Sequence, residues 1–231
     1  MGAPIEHLFS DDATLLDALE AHVVDTLASA LSVKGHASIA VSGGNTPRPL
    51  FERLSKAPID WSRVHITLVD ERWVDVTDSA SNEKMVRGAL LVEGAAKAHF
   101  VPLKNSAPTP YAGVAETTAR LATIPQPFDI LMLGMGDDGH TASLFPNAAE
   151  LEDGLTTKAP CLGLTPPVAP HPRLTLSAHK ILQSSQLILH FSGPDKTAAY
   201  RLALSSGPVA DHPIRFFLRQ HEVPIHVYAT R

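Results

Sequence analysis

The chain has 231 residues, 44% of them hydrophobic, with 24 acidic against 19 basic side chains and a net charge of −5. That length buries a sizeable core as a single α/β domain over 1–231, and the mild acidity without a basic tract excludes nucleic acid and anionic membrane as main partners. One cysteine (Cys161), an acidic start that is no signal peptide, and no apolar run near ~18 residues predict a cytoplasmic protein.

Leu15, Leu16, Leu19, Val23, Leu27 and Leu31 recur at helical spacing after "SDD", which predicts an amphipathic helix. "ASIAV" (37–41) reads as a buried strand that runs into "SGGNTP", where Thr46 suits an N-cap and Pro47 the first helical position. "VHITLV" (64–69) is a second strand ending at "DER", and "SNEKMVRGALL" (81–91) and "TPYAGVAETTARLA" (109–122) are helical. "FDILML" (128–133) and "QLILHF" (186–191) are further strands. "GPDKTAAYRLAL" (193–204) and "PIRFFLRQ" (213–220) are helices, and "IHVYAT" closes the chain as a strand. The Pro-rich stretch 159–177 is irregular and is expected to hold extra antiparallel strands or a flap. Strands alternating with helices predict a mostly parallel, Rossmann-like α/β sheet with helices on both faces and a small extra β element.

In such a sheet, ligands bind outside the carboxyl ends of the strands. Four strands end in "SGGNTP", "DERW", "GMGDDGH" and "SGPDK", which are expected to converge on one crevice.

In "SGGNTP" (Ser42, Gly43, Gly44, Asn45, Thr46) a glycine-rich turn meets a helix start, so free backbone N–H groups and the helix dipole suit a phosphate. The ordinary alternative is a tight turn; a Walker loop is excluded because G-K-[ST] is missing. In "DER", Arg72 suits a phosphate or carboxylate, oriented by Asp70 or Glu71, against the alternative of a solvated loop. Asn82, at a helix start, is placed to bond sugar hydroxyls. Lys196 and Arg173 are two further candidates for phosphate, with ordinary surface cations as the alternative.

"GMGDDGH" (134–140) has the G-x-G-x-x-G spacing of a dinucleotide turn, yet Asp137 and Asp138 would repel a pyrophosphate. Pro146 also allows only a short helix after it, so the cofactor reading fails. What remains is a turn, with Gly136 and Gly139, that presents His140 beside Asp138. A neutral imidazole, ordinarily of pKa ~6.5, held by a carboxylate is a suitable general base near neutral pH. His221 and His226 lack a third ligand at metal spacing and read as structural. Cys161 has no evident base and no G-x-S-x-G elbow is present, so nucleophilic catalysis is not expected.

With these motifs in place the sequence resembles the 6-phosphogluconolactonase family. The resemblance rests on "SGGNTP", "DERWV", "SN" at 81–82, "GMGDDGHTASLFP" and "GPDK", in the family's order over essentially the whole chain, and is weakest over 146–172. It implies a fold shared with sugar-phosphate isomerases. It also implies hydrolysis of 6-phospho-D-glucono-1,5-lactone to 6-phospho-D-gluconate in the pentose phosphate pathway, without metal or cofactor, by a monomer or small homo-oligomer. The related glucosamine-6-phosphate deaminases share the Ser-Gly-Gly loop and the histidine turn, but resemble "FNEP" where this chain has "SLFP", so their glutamate is missing here. A sugar-phosphate-sensing module without catalysis is the alternative from another class; no helix-turn-helix motif or basic arm accompanies the domain.

Overall fold

The computed structural model describes residues 3–230. Seven parallel strands form the main sheet. In chain order they are β1 (Ile5–Phe9), β2 (Ala37–Val41), β3 (Val64–Leu68), β5 (His99–Val101), β6 (Ile130–Leu133), β9 (Leu187–Phe191) and β10 (Ile225–Thr230). Their spatial order is β1-β10-β9-β6-β2-β3-β5. A second sheet of three antiparallel strands, ordered β4-β8-β7, joins β4 (Asp70–Arg72), β7 (Cys161–Leu164) and β8 (Arg173–Leu176).

β2, β6 and β9 are buried along their whole length. This is why they read as continuous apolar runs rather than alternating ones. From β2 the chain proceeds outward through β3 and β5, then returns through β6 on the other side of β2 and continues to β9 and β10. The order reverses between β2 and β6, and since parallel crossovers are right-handed as a rule, connections running in two opposite directions put helices on both faces. That reversal is the topological switch point, where the carboxyl ends diverge and leave a crevice.

The helices are α1 (Asp12–Lys34), α2 (Arg48–Leu54), α3 (Asn82–Ala89), α4 (Pro110–Leu121), α5 (Leu151–Thr156), α6 (Ala178–Ile181), α7 (Pro194–Leu204) and α8 (Ile214–Arg219). α1 starts where the Asp11 carboxylate accepts the Thr14 N–H and ends at Gly35 with φ +76°, a left-handed cap that suits glycine. It buries Leu15, Leu19, Val23, Leu27 and Leu31, the stripe seen in the sequence. Thr109 caps α4 and Ser81 caps α3 in the same way.

Several expectations require correction. Thr46 is not a cap: α2 begins at Arg48, Pro47 occupies the cap position, and no side chain bonds the first turn. "DER" is a strand of the second sheet, where Asp70 pairs with Thr175 and Arg72 with Arg173. No helix follows "GMGDDGH"; the chain turns tightly, with a bridge between Thr141 and Leu144. The Pro-rich stretch does hold two antiparallel strands, β7 and β8. Among the described residues no helix is long and apolar enough to cross a membrane.

Candidate active site

Four adjacent strands, β9, β6, β2 and β3, send their carboxyl-end segments into one cleft of ≈ 210 Å³. Ser42, Gly43, Gly44, Thr46, Asp70, Arg72, Asn82, Gly136, His140, Arg173 and Lys196 line it. Asn45 instead faces a neighbouring cavity, while Asp138 and Gly139 stand behind His140 rather than in the wall.

The turn after β6 is built to fix one histidine. Gly136 N–H donates to His140 O at 2.8 Å, and Gly139, with φ +76°, donates to Gly136 O at 3.0 Å. The Asp138 carboxylate then accepts from the His140 backbone N–H at 3.1 Å and from its ring Nδ1 at 2.6 Å. A Cβ on Gly136 would overlap His140 Nδ1 and stand 2.5 Å from Asp138 Oδ1, so only glycine lets the pair close. Burial works against the charge of Asp138, but the hydrogen bond and charge of His140 outweigh it and hold the carboxyl down at about 2. An ionised Asp138 accepts and does not donate, which puts the imidazole proton on Nδ1 and leaves Nε2 with its lone pair. Phe145 stacks on the imidazole at 4.1 Å, and the Arg173 guanidinium lies over the Phe145 ring at 5.1 Å.

The cations come from two flanks. Successive strand residues alternate sides, so Asp70 and Arg72 face the cleft and Glu71 faces away. Asp70 is bound by Ser143 Oγ at 2.5 Å and lies 3.7 Å from Arg173 Nη1. The Arg72 guanidinium is held by Ala80 O at 2.6 Å and meets no carboxylate among the described residues, so neither Asp70 nor Glu71 orients it, contrary to expectation. The Nε atoms of Arg72 and Arg173 are both buried without a partner among the described residues. Burial works against the charge of Arg173 and Asp70 opposes that loss. Two neighbouring guanidinium groups with unspent donors, against the single carboxylate of Asp70, suit an anionic ligand. On the other flank, Lys196 at the start of α7 pairs with Asp137 at 2.9 Å.

The loop after β2 supplies backbone donors. Ser42 Oγ donates to Met132 O at 2.8 Å and accepts from Gly134 N–H at 3.0 Å, so this hydroxyl ties β2 to β6. The N–H groups of Gly43 and Gly44 meet no acceptor among the described residues, and Gly44 adopts φ +91°. Asn82 is buried against Gly43 and donates to Asp70 O at 2.9 Å, bracing the loop rather than standing free; its Oδ1 has no partner among the described residues.

Two roles were not visible in the sequence. Glu71 is a buried carboxylate that accepts N–H groups of Arg72, Asn82 and Glu83 at 2.7–2.8 Å, capping α3 from outside the helix. Phe145 wedges between His140 and Arg173. Only its place inside "GMGDDGHTASLFP" gave a signal. Of the residues read as structural, His226 lies far from the cleft, against His7 and His22. Cys161 is buried, and burial pushes its thiol up.

The molecule is thus a doubly wound α/β protein with an anion-seeking crevice and a carboxylate-held imidazole at its switch point. The profile of the glucosamine-6-phosphate isomerase/6-phosphogluconolactonase family matches residues 10–225. A 6-phosphogluconolactonase of Rhizobium meliloti is 41% identical over 96% of this chain and 97% of its own. The crystal structure of a 6-phosphogluconolactonase from Shewanella baltica superposes with a TM-score of 0.97 at 44% identity, covering 100% of both chains. A monomeric glucosamine-6-phosphate deaminase shares the fold, with a TM-score of 0.82 at 17% identity over 98% of this chain and 97% of its own. The chain belongs to the glucosamine-6-phosphate isomerase/6-phosphogluconolactonase family.

Proposed function

We propose that this protein hydrolyses 6-phospho-D-glucono-1,5-lactone to 6-phospho-D-gluconate, the second step of the oxidative pentose phosphate pathway, with His140 as general base. The observation that carries the reading is the Asp138–His140 pair, 2.6 Å apart, opening on a cleft where Arg72 and Arg173 each hold a buried Nε donor without an acceptor among the described residues. The relatives named above, alike over nearly the full chain, support the substrate.

Arg72, Arg173 and Lys196, with the backbone of 42–46, bind the phosphate, and the lactone carbonyl then lies by His140. Nε2 takes a proton from water as the water oxygen bonds to C1. The charge that develops on the carbonyl oxygen is stabilised by nearby N–H groups. Those of Gly134, Gly136, Gly139 and His140 are already occupied within the fold, so the donors come from elsewhere in the cleft wall. The intermediate collapses by breaking the bond from C1 to the ring oxygen, and the imidazolium returns its proton to that oxygen. The product acid ionises in solution. No covalent intermediate is required. We place the protein in the cytoplasm as a monomer or small homo-oligomer.

The test is to generate the lactone enzymatically and follow acid release with and without the protein. Release well above the spontaneous rate is expected; release at the spontaneous rate refutes the assignment.

A further inference from the structure

His190, the fourth residue of β9, belongs to none of the motifs above, yet its ring borders two cavities. One is the cleft shared with His140 and Lys196. The other, ≈ 300 Å³, is lined by Asp12, Asn45, Thr46 and Ser192 among others. Thr46 is the other residue common to both. His190 is only 6% exposed, and its Nδ1 is enclosed without a hydrogen-bond partner among the described residues. The ring nitrogen left for a ligand is therefore Nε2. Buried donors without acceptors are rarer than buried acceptors without donors, so the proton belongs on Nε2 and the bare lone pair on Nδ1.

We infer that His190 is a neutral hydrogen-bond donor to bound substrate, giving its Nε2–H to an oxygen at the phosphorylated end, between Thr46 and Lys196. The inference rests on the lactonase reading for the identity of that substrate.

A neutral donor fits this wall. Burial pulls the imidazole down to about 4, against the pull of Asp12, the carboxylate that faces the second cavity; Lys196, Arg72 and Arg173 are the cations, and Asp70 and His140 the other titratable groups, that line the cleft. His190 thus stays uncharged near neutral pH, adds direction without a further charge, and does not compete as a base. It complements Lys196, whose ammonium, paired with Asp137, is a point charge with little directional constraint.

The experiment compares wild type with His190→Phe and His190→Gln in lactone hydrolysis from pH 6 to pH 9, alongside calorimetric binding of 6-phosphogluconate and of inorganic phosphate. His190→Phe keeps the ring and removes the donor; KM and the 6-phosphogluconate Kd should rise about tenfold, with kcat within twofold. The rise should be equal at every pH, and His190→Gln, which retains an N–H, should recover part of it. A loss for inorganic phosphate as well places the contact on the phosphate, and a loss for 6-phosphogluconate alone places it on an adjacent hydroxyl; either supports the inference. A folded His190→Phe protein with KM and Kd unchanged overturns it, as does a fall in kcat with KM constant. If either variant unfolds, as judged by its melting curve, the other decides. Should wild type bind 6-phosphogluconate yet hydrolyse no lactone, the lactonase reading fails while the binding comparison still judges His190.

Discussion

Gly136 makes the smallest change with the largest expected consequence. Its backbone is compatible with alanine, so the obstacle is the overlap of a methyl group with the His140–Asp138 pair. Gly136→Ala should lower kcat on the order of 10²-fold, since a displacement of about 1 Å suffices for that. KM and melting temperature should stay near wild type; steady-state kinetics with a melting curve check both. Arg72 addresses binding instead. Removing a charge-assisted contact of roughly 1.5–3 kcal/mol should raise KM about 10- to 150-fold in Arg72→Ala with kcat largely kept. An unchanged KM would remove Arg72 from the phosphate site. At this scale the sequence was readable where a residue acts through its neighbours in the chain, as His140 does through Asp138. It was unreadable where the partner is distant. Asp70 serves Ser143 and Arg173, and Asn82 is pinned against Gly43, because strands far apart in sequence meet only in the fold.

Among the elements, β4 and α3 are coupled through Glu71. Burial raises its carboxyl to about 7, although three backbone N–H groups pull the other way. A carboxyl raised on folding binds more protons in the folded state, so its contribution to stability is complete below its unfolded value, near 4.5, and is lost as pH rises to about 7. The slope amounts to about 3 kcal/mol over that window. Glu71→Gln should abolish this slope, whatever its effect on absolute stability; denaturant midpoints measured from pH 4.5 to pH 8 check it. The helices α1, α3 and α4 were legible because caps and apolar stripes are local. The strands β1 and β5 and the short helices α5 and α6 were not expected at all. β1 is an edge strand with alternating exposure, three-residue β5 is half exposed, and helices of four to six residues give too little periodicity. β4 was expected only as the polar end of β3, not as a strand of its own, because its partner, β8, follows about a hundred residues later.

For the whole molecule, the parallel sheet and its crevice followed from the order of strands and helices, and the four polar strand ends do meet in one cleft. What order alone cannot give is the reversal at β2 and β6, which decides that the phosphate loop and the histidine turn lie side by side. Those two strands are held at Ile39–Ile130 and Ala40–Leu131, and Leu131 is fully buried between its neighbours. Leu131→Ala should destabilise the protein by about 2–5 kcal/mol, while activity per folded molecule at 25 °C stays within a few-fold of wild type. Calorimetry and an assay of the same sample test whether the sheet serves as a scaffold remote from the chemistry.

The central claim, that His140 is the base, is tested most directly by the kcat of His140→Asn in the coupled lactone assay. The amide keeps polarity and much of the shape but accepts no proton. The account predicts a fall in kcat of ~10²–10⁴-fold with KM nearly unchanged, because the arginines and the 42–46 loop are untouched. A folded His140→Asn protein that turns over at the wild-type rate would contradict it.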